Sequence, residues 1–271
     1  MSIAQKKSNG RIIVSDKGEI RFITIEQEQR RNALTEAMIE SMCEAVTDFE
    51  SSPNLKVLVV SGSGDKAFCA GADLKEMAEK QTMGVKFTPV MPTLFDKILG
   101  LTKPTIAALN GDAVGGGLEI ALCCSMRVAR TGIRVGLPEI SLGMVPRYGT
   151  ALAVLLSSPA TALELALFGE LMLVETALNN HLVDRVISTD DFERSVRELA
   201  EKLASFSTPA VAGVLHVTRS ARSVPIHELV NSPQAIATFG SPHRAEAVRD
   251  FNRNDSSGSH QNTTGIRVGS L

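Results

Sequence analysis

The chain has no surplus of charge of either sign. Its 28 Lys and Arg against 30 Asp and Glu leave a formal net charge of −2. That excludes a global basic field able to attract nucleic acid or an anionic membrane, and neither is an expected partner. Cysteine is sparse. Cys43, Cys69, Cys123 and Cys124 form no C-x-x-C pair, and the adjacent Cys123 and Cys124 cannot readily bridge each other. In a chain of this length they read as reduced, partly buried small apolar residues. The five histidines (181, 216, 227, 243 and 260) show no metal-ligand spacing with cysteine, so no metal site is expected. A long hydrophobic run is missing too. The most apolar region, around 104 to 129, is broken by Asn110, Asp112, Glu119 and consecutive glycines, which excludes a membrane span. The opening residues, MSIAQKKSNGR, lack the apolar core of a signal peptide. A soluble, cytoplasmic protein is the expectation, and no internal repeat stands out.

Hydrophobic residues make up 44% of the chain and charged residues 21%, an ordinary globular balance. The 271 residues suit one large domain, or a core with a smaller appendage. RIIVSDKGEIRFITIE reads as a hairpin, two β-branched runs around Asp16-Lys17-Gly18. A helix follows, with Thr35 as its N-cap and Met38, Ile39, Met42, Val46 and Phe49 at helical spacing. KVLVVSG and PTIAALNG are short continuous apolar strands; AFCAGADLKEM is a small-residue loop opening a helix. This alternation predicts βαβ-like units with buried strands. From about Gly149 onward the segments read as mainly helical. The expected organisation is a core over 1–195, a helical region over 196–253 and a polar tail over 254–271.

The chemistry is concentrated in NGDAVGGGLEIALCC, residues 110–124. Three glycines run into an apolar helix, with Glu119 one turn inside it. A glycine turn entering a helix leaves backbone N–H groups free, and the helix dipole makes that place attractive to anions. A nucleotide phosphate does not fit. G-x-G-x-x-G would need a third glycine at position 120, which is Ile, and a P-loop would need Lys at 118, which is Leu. A carboxylate at 119 would also repel a bound phosphate. A transient oxyanion formed beside an acid or base suits the site better. The alternative is close strand–helix packing, with Glu119 merely favourable to the dipole. Two further features favour chemistry. Ala67 to Leu74 forms a second small-residue loop that offers another backbone N–H, and GLPEI places Glu139 in an apolar stretch twenty residues beyond Glu119. Two poorly hydrated carboxyl groups can hold different protonation states, one acid and one base.

With NAL (32–34), AFCAGADLKEM (67–77), KPTIAALNGDAVGGGLEIAL (103–122) and LPEISLGMVP (137–146), the chain resembles the enoyl-CoA hydratase/isomerase (crotonase) family, most closely its hydratase branch. Looser similarity continues to about residue 253. The resemblance implies an α/β fold, a spiral of β-β-α turns with a C-terminal helical region used in trimer assembly, as a homotrimer or a dimer of trimers. It implies an acyl-CoA substrate and no separate cofactor, coenzyme A being part of the substrate. It also implies an oxyanion hole from the N–H groups of Ala72 and Gly116. The thioester would lie along Ala70, Gly71, Ala72, Asp73, Leu74, Lys75, Gly115 and Gly116. Glu119 and Glu139 fall on the two catalytic glutamates of the hydratases, with Glu119 activating water and Glu139 handling the C2 proton.

The chain departs from the family pattern in four places. Arg147-Tyr148-Gly149-Thr150 looks one glycine short, in a segment that could move Glu139 or reshape the acyl pocket. Ser125 replaces an aspartate. His181 stands where a glycine commonly ends a helix, a strained position for a non-glycine residue. Ser232-Pro233 interrupts a C-terminal helix. The resemblance leaves other readings open: an enoyl-CoA isomerase or other CoA-thioester enzyme of the fold, and a non-catalytic or RNA-binding member.

Overall fold

The computed structural model describes residues 10–82 and 90–221, with the isolated positions 223, 228, 232 and 233. By contacts the chain divides into Met1–Phe206 and Ser207–Leu271.

In the first unit, β1 (Arg11–Lys17) and β2 (Ile20–Glu26) form the expected antiparallel hairpin. Gly18 turns it at φ +60°, in the left-handed region open to glycine. Then come α1 (Glu36–Ser51), β3 (Val57–Gly62), β4 (Ala67–Cys69), α2 (Leu74–Thr82) and α3 (Met91–Gly100). The middle of the chain repeats a pattern: β5 (Thr105–Leu109), β6 (Asp112–Val114) and α4 (Gly116–Cys123), then β7 (Met126–Arg130) and β8 (Arg134–Gly136). A 3-10 turn, Pro138–Leu142, leads to α5 (Arg147–Leu156) and α6 (Pro159–Leu163). The π-helical turn Glu164–Phe168, β9 (Met172–Leu173), α7 (Val174–Asn179), β10 (Arg185–Ile187) and α8 (Phe192–Ala204) complete the unit.

Each spiral turn places one long strand in a six-stranded sheet, ordered β1-β2-β3-β5-β7-β10, and one short strand in a second sheet, ordered β4-β6-β8-β9. All pairings are parallel except β1·β2 and β8·β9. The large sheet is covered on both faces, which is why β3 and β5 read as unbroken apolar runs. Leu58, Val60, Ala107 and Leu109 face the core shared with α1, α3 and α4. Their alternates Val57, Val59, Ile106 and Ala108 face Val196, Leu199 and Ala200 of α8. The α/β spiral of β-β-α units matches the expected crotonase architecture.

Thr35 caps α1 by accepting from the Met38 N–H at 3.3 Å, and Met38, Ile39, Met42, Val46 and Phe49 are all buried. The expected boundary at 195/196 lies within α8, whose apolar side closes one face of the large sheet. In the second unit, α9 (Thr208–Ser220) is described, with the isolated positions after it; most of the remaining assembly region to 253 and the 254–271 tail lie outside the described residues.

His181 follows α7 at φ +59°, as its position suggested, and donates its N–H to Leu178 O at 3.0 Å. Left-handed backbone costs a residue with a Cβ about 1–2 kcal/mol, and glycine's greater freedom when unfolded returns about 0.4–1 kcal/mol of that gain. His181→Gly is therefore expected to stabilise the protein by up to about 1 kcal/mol, a rise in Tm of about 2–4 °C by calorimetry.

Candidate active site

The loop between β4 and α2 is held by the segment that carries the NAL motif. Asn32 adopts φ +55° and is almost fully buried. Its side-chain oxygen accepts from the Gln27 N–H (2.9 Å), and its amide donates to Ser63 O (2.9 Å) and Ala67 O (2.7 Å). From this anchor the Ala70 N–H donates to Arg31 O (3.0 Å), the Leu34 N–H to Gly71 O (2.7 Å) and the Asp73 N–H to Leu34 O (2.9 Å). Leu34 and Ala72 thus form a parallel bridge. In that register the bonds run through Gly71 and Asp73, so the N–H of Ala72 between them has no protein acceptor among the described residues.

The glycine run meets this loop, and its three residues do different work. Gly115 donates its N–H to Gly136 O at 2.9 Å and turns the chain into α4 at φ +55°; a Cβ there would stand 2.9 Å from the Glu139 Oε1. Gly116 is the first residue of α4, where helical N–H groups have no partner within the helix. Its N–H donates to no described protein group and lies 2.9 Å from the point where a Cβ on Gly71 would sit. Gly117 packs so closely on β4 that a Cβ would lie 2.0 Å from Cys69 O. The two acceptor-free N–H groups, Ala72 and Gly116, therefore come from two loops pressed together.

Beside them lies a cavity of about 220 Å³ with mostly apolar walls. Glu119 and Glu139 both line it, with Ala72 and Gly116. Ala70, Gly71, Leu74 and Gly115 line it too. Asp73 and Lys75, also expected along the thioester, are not among its lining residues. Asp73 is buried and caps α2, accepting from the N–H groups of Lys75 (3.0 Å) and Glu76 (3.2 Å) through one oxygen. Its other oxygen pairs with the Arg30 guanidinium and accepts from the Gln27 amide at 3.3 Å. Lys75 points into solvent as an exposed residue of α2.

The two glutamates have unlike surroundings. Glu119 is buried on α4, and its Oε1 accepts from the Gly149 N–H at 2.8 Å. Burial raises its pKa; the backbone N–H groups of Gly149 and Tyr148 and the charge of Arg147 pull it back down. Glu139 sits in the 3-10 turn after β8 with its Oε2 buried and without a hydrogen-bond partner. Burial pushes its pKa up to about 7, and the Glu119 charge adds to the rise. The backbone donors thus favour the ionised form of Glu119, while burial favours the protonated form of Glu139. Cys69, nearby, is no nucleophile: burial pushes its thiol up to about 12.

The Arg147-Tyr148-Gly149 segment, which looked one glycine short, is the holder of Glu119. It is the first turn of α5, and the free N–H groups of that turn face the carboxylate. A Cβ at Gly149 would meet Leu137 methyls at 2.8 Å and Glu119 Cγ at 3.1 Å. The sequence signal was available as a glycine two residues into a helix start, but its partner lies thirty residues away. The α3 side of the cavity, with Met91 and Phe95, was also missed.

A model of the Enoyl-CoA hydratase/isomerase family matches residues 15–237. The chain belongs to this family. Carnitinyl-CoA dehydratase of Salmonella typhi is 36% identical over 212 residues, 78% of this chain and 81% of the relative. The crystal structure of an enoyl-CoA hydratase from Bacillus anthracis superposes with a TM-score of 0.83 at 29% identity, covering 90% of this chain and 96% of that one. An enoyl-CoA hydratase/carnithine racemase from Magnetospirillum magneticum gives a TM-score of 0.77 at 26% identity, over 90% and 92%. As a member of the enoyl-CoA hydratase/isomerase family the protein is an enzyme of the crotonase fold. Among its described residues no helix is long and apolar enough to cross a membrane.

Proposed function

We propose that the protein is an enoyl-CoA hydratase, adding water across the 2,3-double bond of an acyl-CoA thioester. The observation that carries this reading is the asymmetric acid pair. Glu119 is held by backbone donors and Glu139 keeps a buried bare oxygen, and both line one cavity with two acceptor-free N–H groups.

In this mechanism the thioester oxygen accepts from the N–H groups of Ala72 and Gly116. Water lies between the carboxyl groups. Ionised Glu119 takes a proton from it, hydroxide adds to C3, charge moves onto the thioester oxygen, and protonated Glu139 delivers its proton to C2. The product leaves Glu119 protonated and Glu139 ionised, and one proton transfer restores the starting state. The name of the Salmonella relative denotes the reverse elimination, and the same pair serves it by microscopic reversibility. The test is loss of the enoyl absorbance on adding crotonyl-CoA, with the 3-hydroxyacyl thioester identified by mass. A shifted double bond without added water would instead indicate an isomerase.

Both directions require one proton shared by the pair, and the equilibrium constant of the reaction is independent of pH. Since the Glu139 carboxyl sits at about 7, the singly protonated pair is lost as pH rises through that value. Initial rates between about pH 6 and 9 should show kcat/KM falling above about pH 7, tenfold per pH unit at the limit, for hydration and dehydration alike. A profile flat to pH 9 would remove Glu139 as the acid.

A further inference from the structure

The cavity has a third charge that the hydration chemistry does not consume. Arg147, the first residue of α5, lines it beside Glu119 and Glu139. It is an exposed residue and forms no hydrogen bond or ion pair with any described residue. By contrast, the arginines that reach the core are paired: Arg21 with Asp16 and Asp48, Arg127 with Asp184. The other polar side chain on this wall is already committed, since the Tyr148 hydroxyl donates to Asp96 Oδ1 at 2.5 Å while its ring tilts against Phe95 at 4.9 Å. The remaining walls are side chains such as Met77, Met91, Leu142 and Val145. An acyl group entering here meets apolar surface, the reacting acid pair and one free planar cation. A guanidinium fork matches a carboxylate in two parallel hydrogen bonds. The same cation opposes a positively charged acyl terminus.

We propose that Arg147 selects acyl groups ending in a carboxylate, so that the substrate is the mono-CoA thioester of a short dicarboxylic acid. This deepens the hydratase reading, and it concerns which thioester the cavity takes; it can be tested without turnover. Coenzyme A itself carries phosphates, a second anion within the class Arg147 recognises, so the comparison keeps the CoA moiety constant and varies the acyl end. Three saturated, unreactive thioesters are measured by calorimetry: butyryl-CoA, glutaryl-CoA and the CoA ester of 4-(trimethylammonio)butyrate. The unaltered protein is expected to bind glutaryl-CoA about tenfold more tightly than butyryl-CoA, and the cationic ester more weakly than either. Arg147→Gln abolishes the glutaryl preference and Arg147→Lys retains part of it, with Tm verifying that each variant is folded. Equal affinity of the unaltered protein for all three esters would overturn the proposal, as would tight binding of the cationic ester. A loss in Arg147→Gln that is the same for butyryl-CoA and glutaryl-CoA would also overturn it, assigning the arginine to the phosphates. Failure of crotonyl-CoA hydration would count against the hydratase reading and leave these affinities to be judged separately.

Discussion

Glu119→Gln is expected to lower kcat/KM for crotonyl-CoA hydration by about 10²- to 10⁴-fold, the range over which positioned acid–base groups act. The substitution is nearly isosteric, and the glutamine oxygen can still accept from the Gly149 N–H that holds the native side chain at 2.8 Å. The geometry of α4 and α5 is therefore kept, and only the capacity to take a proton from water is lost. Stability should move the other way or not at all, because burial opposes the ionised form of Glu119 and an amide has no charge to desolvate. A large loss of turnover with an unchanged or raised Tm is the expected pair of readouts. Full turnover in Glu119→Gln would remove the base.

Gly117→Ala is expected to destabilise the protein by about 3 kcal/mol or more, at the upper end of overpacking effects. A Cβ at this position stands 2.0 Å from Cys69 O and 2.7 Å from its carbonyl carbon. The obstacle is backbone at the end of a buried strand, so no side-chain rotation relieves it. Either α4 backs away from β4 or the strand shifts. Both movements pull the Gly116 N–H from the Ala72 loop, so activity falls with stability. Calorimetry should show a Tm lower by about 6–12 °C. A change of less than about 2 °C would mean that α4 and β4 are not in the contact described.

The sequence revealed the parts of this architecture that span several residues of regular pattern. The β1–β2 hairpin, the Thr35 cap and apolar stripe of α1, and the buried runs of β3 and β5 each carry a period that survives in one dimension. The second sheet did not show itself, because β4, β6, β8 and β9 are two or three residues long, too short for alternation to be visible. α8 read as the start of a separate region because half its surface is charged. Its Val196, Leu199 and Ala200 are spaced to cover the sheet, a fact that depends on where the sheet lies.

At the site, residue types were legible and their division of labour was not. Glu119 and Glu139 are brought to one cavity because a single spiral turn, β7 and β8, lies between them. Asp73 has the composition of a site residue and the hydrogen bonds of a helix cap. The Arg147-Tyr148-Gly149 turn looked like damage to a motif, and it proves to be the support for Glu119, since a main-chain N–H leaves no mark on the sequence.

The most direct test of the shared-proton pair is a double-mutant cycle on kcat/KM for crotonyl-CoA hydration, using Glu119→Gln, Glu139→Gln and the two combined. If the carboxyl groups act as one unit on one water molecule, each single change costs nearly everything, and the double variant falls within about tenfold of the worse single. If the two losses multiply as independent effects, or either single variant keeps the native rate, the pair does not act as described.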